Sequence, residues 1–351
     1  MESTEASPPH MLNPALEAED HSPTMSLVAA LADYTAPSLA INDSAIAAAR
    51  LCLIAGLSRA FEALRDPECA SLIGPLVPGA LMPGGARVPG TSLELDPAQA
   101  AFCNGLLLYH VASAGGERPA ERRCAPDSLG AILAVADYQA RKGVMEGRSP
   151  PSVRDVLVAI TKAARIQSVL DSAASSAHAE ATLRLTRVAS AAIAAAQLGG
   201  TRQQIVTALS YACVDSGIPS EADERYGIGH RAWATADAIS RAVRHACQAI
   251  SAIRPSYLTS GQLATMDRAG KLLSSQPEVT GLLFGANVLD PLAGLERHHV
   301  TPLTTRFQAA VEGYFPTRQA ERIKALFATP ERLDELPVNE LLAALVTNGA
   351  R

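Results

Sequence analysis

The residues best suited to chemistry lie just before a predicted apolar helix, in the stretch ERRCAPDSLGAILAVADY. Cys124 follows Arg122 and Arg123 and precedes the helix start. Neighbouring cations and a helix N-terminus both lower the pKa of a thiol. Cys124 is therefore a candidate nucleophile or base, with the alternative that it is a passive small residue. Asp127 is a candidate site carboxylate, with the alternative that Asp127 or Ser128 caps the helix.

Histidines and one further arginine form a second set of candidates. His178 lies in the polar stretch SSAHAEATL, where it is either catalytic or a surface residue. His230 and Arg231 begin a long amphipathic stretch. They either bind a substrate carboxylate or lie in a solvated first helical turn. His298 and His299 are adjacent, so their side chains point in different directions and do not form a shared metal site.

Length, composition and charge restrict the functional class. The chain has 351 residues, 48% of them hydrophobic, a net charge of -5 and a pI near 5.9. It can bury a large core, but it has no basic block for nucleic acid or an anionic membrane. The six cysteines form no C-x-x-C pair, which indicates reduced intracellular thiols. No apolar run is long enough to cross a membrane, and no glycine motif for a nucleotide cofactor is present.

The first 25 residues form a separate segment. They contain no Lys or Arg and are rich in acidic residues and Pro. This composition predicts a disordered tail over residues 1–25, without a secretory or transit signal. The expected location of the protein is therefore cytoplasmic.

Helices must position the candidate residues, because helical periodicity and helix-start signals recur along the chain. Helix caps are predicted at Asn42, Asp43 or Ser44, and at Asp96, Ser152, Thr201 and Thr329. Pro and Gly interrupt any helix from about Leu72 to Glu94, which predicts a long loop or short extended pieces. The many alanines and the aromatic content of 4% favour closely packed helices, with Trp233 in the core. The predicted fold class is mainly α.

Several stretches, taken in order, resemble the MmgE/PrpD family. They include CLIAGLSRAFEALRDPECASLIGPLVPG, GGARVPGTSLELDPAQAAFCNG, PDSLGAILAVADY, AWATADAISRAVR and PLTTRFQAAVEGYFPTRQAERIKALF. The resemblance implies a large helical domain over residues 26–272 and C-terminal helices over residues 297–351 that pack back on it. It also implies an α/β lid between them, where residues 273–296 leave room only for a short irregular insertion.

The resemblance further implies a site in which the residues that transfer protons are substituted. Where the family pattern has D-[FY]-[DN]-D-T, this chain has Ala112, Ser113, Ala114, Gly115 and Gly116. Both aspartates and the threonine of that pattern are therefore absent. Alanine and glycine cannot transfer protons, so efficient dehydration by the family mechanism is not expected of this chain.

A second group of family positions is partly retained. The histidine of the family's H-P-S-D run corresponds to Cys124, whereas its aspartate corresponds to Asp127. A further family histidine aligns with Thr182, one helical turn from His178. A family lysine aligns with Arg231. The scaffold stretches are thus kept more closely than the site positions.

The resemblance implies a carbon–oxygen lyase that dehydrates 2-methylcitrate or a related alkylcitrate, as a homodimer and without a metal or redox cofactor. Such a reaction needs a base, an acid and groups that hold the carboxylates of the substrate. The catalytic candidates are Cys124, Asp127 and His178, and the substrate-binding candidates are Arg123, His230 and Arg231. Two alternatives stay open. One is a non-catalytic binding partner, including one for a full-length relative, and the other is an enzyme of specialised metabolism acting on a less charged substrate.

Overall fold

A computed structural model describes residues 23–36, 41–113, 127–173, 179–215, 227–251, 283 and 295–347. The helices of these ranges are α1 Pro23–Tyr34, α2 Asp43–Ala63, α3 Pro67–Ser71, α4 Pro97–Ser113, α5 Leu129–Met145, α6 Val153–Ala173, α7 Ala179–Gln197, α8 Arg202–Val214, α9 Gly227–Ser251, α10 Leu295–Tyr314, α11 Thr317–Phe327, α12 Pro330–Glu335 and α13 Val338–Ala344. Strands β1 (Ala86–Arg87) and β2 (Glu94–Leu95) form a short antiparallel hairpin. The prediction of a mainly α fold is confirmed.

Two predicted segments lie almost wholly outside the described residues. They are the tail over residues 1–25, of which α1 includes the last three, and the lid insertion over residues 273–296. The predicted loop between Leu72 and Glu94 is confirmed, since only the two short strands interrupt it.

Most predicted caps begin a helix. Asn42 and Asp96 accept hydrogen bonds from backbone amides in the first turns of α2 and α4. Thr201 and Gln204 form a reciprocal capping box at the start of α8. Thr329 stands at the N-cap of α12, but its hydroxyl makes no capping hydrogen bond. At that helix the proline at the first position supplies the helical φ instead.

Helices α4, α5 and α9 cross where only small residues fit. A Cβ atom on Gly130 of α5 would lie 2.9 Å from the backbone nitrogen of Gly105 in α4. A Cβ atom on Gly105 would lie 2.9 Å from the Cα of Ala236 in α9. The buried Asn104 donates its side-chain amide to the carbonyl of Gly130 at 3.2 Å. The stretches FCNG and LGAILA therefore meet at one three-helix crossing, which explains their composition.

A buried ion pair joins the hairpin to α5. The Arg87 guanidinium contacts Asp137 at 2.7 Å, and the backbone amide of Arg87 donates to the same carboxylate at 2.8 Å. Burial raises the pKa of Asp137, while the hydrogen bonds and charge of Arg87 oppose that rise. Arg87 also donates to the backbone carbonyl of Asn339 in α13 at 2.7 Å. One arginine thus links the hairpin, α5 and the last helix.

Two more ion pairs fasten the C-terminal helices to α2. Arg306 of α10 donates to both carboxylate oxygens of Glu62, at 2.9 and 2.6 Å. Arg50 donates to Asp334 of α12 at 2.8 Å. Helix α2 is therefore covered by the end of the chain.

The apolar character of α2 belongs to this packing. It is one helix of the described residues that is long and apolar enough to cross a membrane, but 83% of its most apolar window is buried inside the protein. The described cysteines are free thiols, as predicted: Cys52, Cys69, Cys103, Cys213 and Cys247.

The prediction that Trp233 lies in the core is wrong. Its side chain is 47% exposed and meets Phe102 edge-on, with the ring centroids 6.1 Å apart. The face of α9 that packs on α4 is built from small residues such as Ala232 and Ala236. The close approach of these two helices leaves no room for an indole ring between them.

Candidate active site

Asp127 lies at one end of the bundle, beside the last turns of α6 and the first turns of α7. Its Oδ2 accepts hydrogen bonds from Gln167 Nε2 at 3.0 Å and from Thr186 Oγ1 at 2.9 Å. The Gln167 amide is also 3.2 Å from the Thr186 hydroxyl oxygen, to which it donates. Side chains from two helices therefore orient one carboxylate at the start of a third helix.

Ser128 occupies the N-cap position of α5 without capping it. Its backbone has helical φ and ψ of -72° and -8°, rather than the extended geometry that lets an N-cap side chain reach the first amides. Its hydroxyl instead accepts a hydrogen bond from Ser190 of α7 at 3.0 Å. The described hydrogen bonds of Asp127 likewise run to other helices. The described side-chain hydrogen bonds of Asp127 and Ser128 therefore join α6 and α7 to the start of α5, and they do not cap α5.

Asp171 adds a second carboxyl group to this end of the bundle. It follows Gln167 by one turn, so both side chains project from the same face of α6. Burial and the negative charge of Asp127 raise the pKa of Asp171 to about 6. Its side chain is nevertheless accessible to solvent. The pair combines a carboxylate oriented by Gln167 and Thr186 with a carboxyl group whose pKa of about 6 lies near neutral pH.

A separate ion-pair cluster lies on the other side of α7. Asp215, directly after α8, contacts Arg241 at 2.9 Å and His245 at 3.1 Å, both in α9. Its carboxylate also lies 3.5 Å from Arg187, which is fully buried and donates to the carbonyl of Ala212 at 3.1 Å. Burial lowers the pKa of His245, although Asp215 opposes this. The cluster fixes α7 against α8 and α9, and Arg187 is the residue next to Thr186.

The structure describes one of the predicted site side chains. Asp127 lies in the cluster above, whereas Arg123, Cys124 and His178 lie outside the described residues. His230 and Arg231 have their backbone in the first turns of α9, and their side chains are not among those described.

Sequence reasoning missed Gln167, Asp171 and Thr186. A signal was available, because Gln167 and Asp171 are four residues apart in α6, and so are Thr186 and Ser190 in α7. Polar residues repeated at this spacing share one helix face. Among the residues that the structure describes, no group of three or more His, Cys, Asp or Glu side chains could hold a metal ion.

Known proteins of one family match this chain. A family model described as the MmgE/PrpD N-terminal domain matches residues 29–255. The chain is 40% identical over 204 residues to 2-methylcitrate dehydratase of Escherichia coli (strain K12), covering 57% of this chain and 42% of that protein. It is 41% identical over 199 residues to 2-methylcitrate dehydratase of Cupriavidus necator, covering 56% and 41%.

A fungal relative matches less closely over a similar region. The chain is 34% identical over 226 residues to alkylcitrate dehydratase phiI of Fungal sp. (strain ATCC 74256), covering 62% of this chain and 44% of that protein. The chain thus spans less than half the length of these curated relatives. The family model, in contrast, matches well over half of this chain. The chain belongs to the MmgE/PrpD family.

Proposed function

We propose that this chain is a carbon–oxygen lyase that eliminates water from 2-methylcitrate or a related alkylcitrate. Membership of the family and the names of its relatives support the reaction class. The observation that carries the proposal is the pair of carboxyl groups at the end of the bundle, Asp127 and Asp171. Removing water from a citrate-like acid needs groups that take up and deliver protons, and this pair supplies two.

The two carboxyl groups suit different parts of the reaction. The Asp127 carboxylate is held by Gln167 and Thr186, and it lies at a helix N-terminus, which favours negative charge. Asp171 has a pKa of about 6, close to the pH at which a general acid or base works best. We assign to Asp171 the group that exchanges a proton near neutral pH, and to Asp127 the second proton-transfer group, which Gln167 and Thr186 orient.

The substrate also needs cations, because an alkylcitrate carries up to three carboxylates. We propose that Arg123, His230 and Arg231 supply them, with Cys124 and His178 as further groups near the reacting carbon. The start of α9, which holds His230 and Arg231, belongs to the helix that crosses α4 and α5 at the glycine contact. No metal or redox cofactor takes part in this proposal.

A specific observation favours a second function. The positions where the family pattern has two aspartates, a threonine and a histidine hold Ala112, Gly115, Gly116 and Cys124. Losing a single proton-transfer group lowers rates by about 10²- to 10⁴-fold. The second candidate is therefore a protein that binds a carboxylic acid or a relative of the family without turnover. An enzyme of specialised metabolism with a less charged substrate would fit the same substitutions.

A direct assay separates these functions. Purified protein is incubated with 2-methylcitrate and with citrate, and the new carbon–carbon double bond is followed by its ultraviolet absorbance. We expect turnover of 2-methylcitrate, lowered at least about 100-fold by Asp171→Asn. The control is Asp43→Asn, which removes a carboxylate whose side chain is 95% exposed. Binding of 2-methylcitrate by calorimetry without turnover would instead support the non-catalytic function, and no binding at all would refute both.

We also propose that the active form is a cytoplasmic homodimer. This assembly follows from the family resemblance, with a heteromer of a full-length relative as the alternative. Light scattering on the purified chain, whose mass is 36.6 kDa, distinguishes a dimer from a monomer.

A further inference from the structure

Large apolar side chains are exposed in one part of the molecule. They come from the loop after α3 and from the end of α5, and between 37% and 84% of each residue is exposed. They are Leu72, Leu76, Val77, Leu81, Met82, Val144 and Met145. We name this set the apolar face. Surfaces of this kind are uncommon on monomers and typically mark an interaction site.

The loop that carries most of the apolar face contacts the end of α5. Residues 72–82 follow one another along the chain, and the loop then turns back, with the amide of Gly85 donating to the carbonyl of Met82 at 2.8 Å. A Cβ atom on Gly84 would lie 3.5 Å from the Cε of Met145. The Arg141 guanidinium of α5 donates to the carbonyl of Gly85 at 2.7 Å. The loop is thereby fixed against the end of α5.

The composition of the loop matches that of an interface core. Residues 72–86 contain no Asp, Glu, Lys, Arg or His. Interface cores are depleted of charged residues in the same way. Seven large apolar side chains at these exposures present on the order of 700 Å², near the about 800 Å² that each partner contributes to a stable interface. The apolar face is therefore large enough for a specific dimer.

Opposite charges flank the apolar face. Glu68 is exposed on α3, just before the loop begins, whereas the carboxylate of the neighbouring Asp66 is paired with His110 at 2.7 Å. Lys142 and Arg148 lie at the end of α5, with Glu146 paired to Arg148. A two-fold axis through the face would place the acidic flank of one copy opposite the basic flank of the other, because the same patch serves both copies. Glu68 and Lys142 are therefore the charges that can pair between two copies of this chain.

We propose that the apolar face is the surface through which two copies of this chain associate about a two-fold axis. This inference rests on the homodimer of the proposed function and adds the place where the copies meet. Leu76, the most exposed of the set at 84%, lies in the loop at the centre of the interface. Glu68 of each copy pairs with Lys142 of the other at the rim.

The test compares two valines on the purified full chain by sedimentation equilibrium. Val144 lies in the apolar face and is 52% exposed, whereas Val300 of α10 lies outside it and is 44% exposed. We expect Val144→Lys to raise the dissociation constant of the dimer at least about tenfold, as expected for a charge placed in an interface core. Val300→Lys should leave it unchanged. Leu76→Lys, at a more exposed position, should give the larger effect while the far-ultraviolet circular dichroism spectrum stays unchanged.

Charge exchange at the rim tests the two-fold arrangement. Glu68→Lys and Lys142→Glu each place like charges opposite one another and should weaken the dimer by several-fold, more at low salt than at high salt. The double variant restores opposite charges and should recover the affinity of the natural chain. A double variant that is weaker than both single variants would overturn the proposed arrangement.

The outcomes separate this inference from the proposals on which it rests. A natural chain that is monomeric at all concentrations would refute the homodimer together with this interface, while the dehydratase assay would be unaffected. A dimer that resists Val144→Lys and Leu76→Lys would keep the homodimer and overturn the apolar face as its interface. Equal weakening by Val144→Lys and Val300→Lys would also overturn it. Association only with a full-length relative would assign the face to a different partner and overturn self-association.

Discussion

Asp127 lies just before α5 and Asp137 lies in the middle of that helix, but the surroundings of the two carboxylates differ. Asp137 is fully buried and receives three hydrogen bonds from Arg87, two of them from its guanidinium. Asp127 is partly accessible, and its described donors are the neutral side chains of Gln167 and Thr186. The negative charge of Asp127 raises the pKa of a second carboxyl group, that of Asp171.

Asp137 therefore has the surroundings of a carboxylate that stabilises the fold, whereas Asp127 and Asp171 have surroundings suited to proton transfer. A fully buried carboxylate with its own guanidinium is fixed in position and out of reach of a substrate, so it can join elements of the fold but cannot take part in catalysis. Two carboxyl groups that influence each other titrate apart, which provides an acid and a base at the same place. We therefore expect substitutions at the two aspartates to affect different properties, namely the free energy of unfolding at Asp137 and proton chemistry at the other pair.

The largest expected effect is at the buried ion pair. Asp137→Asn leaves the Arg87 guanidinium without its charge partner inside the protein, and this typically lowers the free energy of unfolding by about 3–5 kcal/mol. Urea unfolding measures the loss. The control is Arg148→Ala, which removes an exposed pair with Glu146 and should change stability by less than about 1 kcal/mol. Equal effects of the two variants would contradict the structural role of Asp137.

The next largest effect concerns the scaffold between these two regions. Gly130→Ala places a Cβ atom 2.9 Å from the backbone nitrogen of Gly105, so α4 and α5 must move apart. Overpacking of this kind lowers the free energy of unfolding by about 1–3 kcal/mol. Thermal unfolding followed by circular dichroism measures it. Gly74→Ala is a suitable comparison, because no atom lies within 4 Å of its added Cβ atom. A Gly130→Ala variant as stable as Gly74→Ala would refute the close crossing.

Much of the fold could be predicted from the sequence because its signals are local. Caps such as Thr201 with Gln204, and the Pro- and Gly-rich loop, depend on neighbouring residues and are confirmed. Trp233 was misplaced because its position depends on how closely α9 approaches α4, which no local pattern shows. The contact between Arg87 and Asp137 joins residues 50 positions apart, and neither residue stands out within its own stretch.

The candidate site was predictable only in part, for a related reason. Asp127 was a candidate because it precedes a predicted helix close to Cys124 and matches the family's aspartate, although its own neighbourhood equally indicates a helix cap. Asp171 was missed because its altered pKa comes from burial and from a carboxylate on another segment, 44 positions earlier in the chain. Such effects arise only once the helices are packed.

A smaller effect, of opposite sign, is expected at Asp171. Its folded-state pKa of about 6 lies above the ordinary 3.8, so the folded protein binds this proton more tightly than the unfolded chain. Stability therefore falls as pH rises through the window between those values. Asp171→Asn removes this loss and should stabilise the protein at pH 7 by at most about 1 kcal/mol, since the side chain is solvent-accessible and screened.

The measurement for Asp171→Asn is the melting temperature at several pH values. The gain should be present above pH 6 and absent below pH 4, where the natural aspartic acid is itself neutral. Under the proposed function, turnover of 2-methylcitrate should fall in the same variant, because asparagine cannot exchange the proton assigned to Asp171. Destabilisation at pH 7 would show that Asp171 has a structural role like that of Asp137.

The smallest expected effect is a change in the pKa of Asp171, which tests directly whether the two carboxyl groups are coupled. Asp127→Asn removes a negative charge that raises the pKa of Asp171, so that pKa should fall, yet stay above its ordinary value because burial is the larger cause. Carboxyl carbon chemical shifts in a selectively labelled protein report the titration. Asp43→Asn, remote and exposed, should leave the pKa of Asp171 unchanged.

If Asp171 acts as the base, the acidic limb of the rate profile should move to lower pH in any Asp127→Asn protein that retains activity, because the base then ionises at lower pH. If the pKa of Asp171 is the same in Asp127→Asn as in the natural chain, the two carboxyl groups are not coupled. Asp127 and Asp137 would then differ only in their burial.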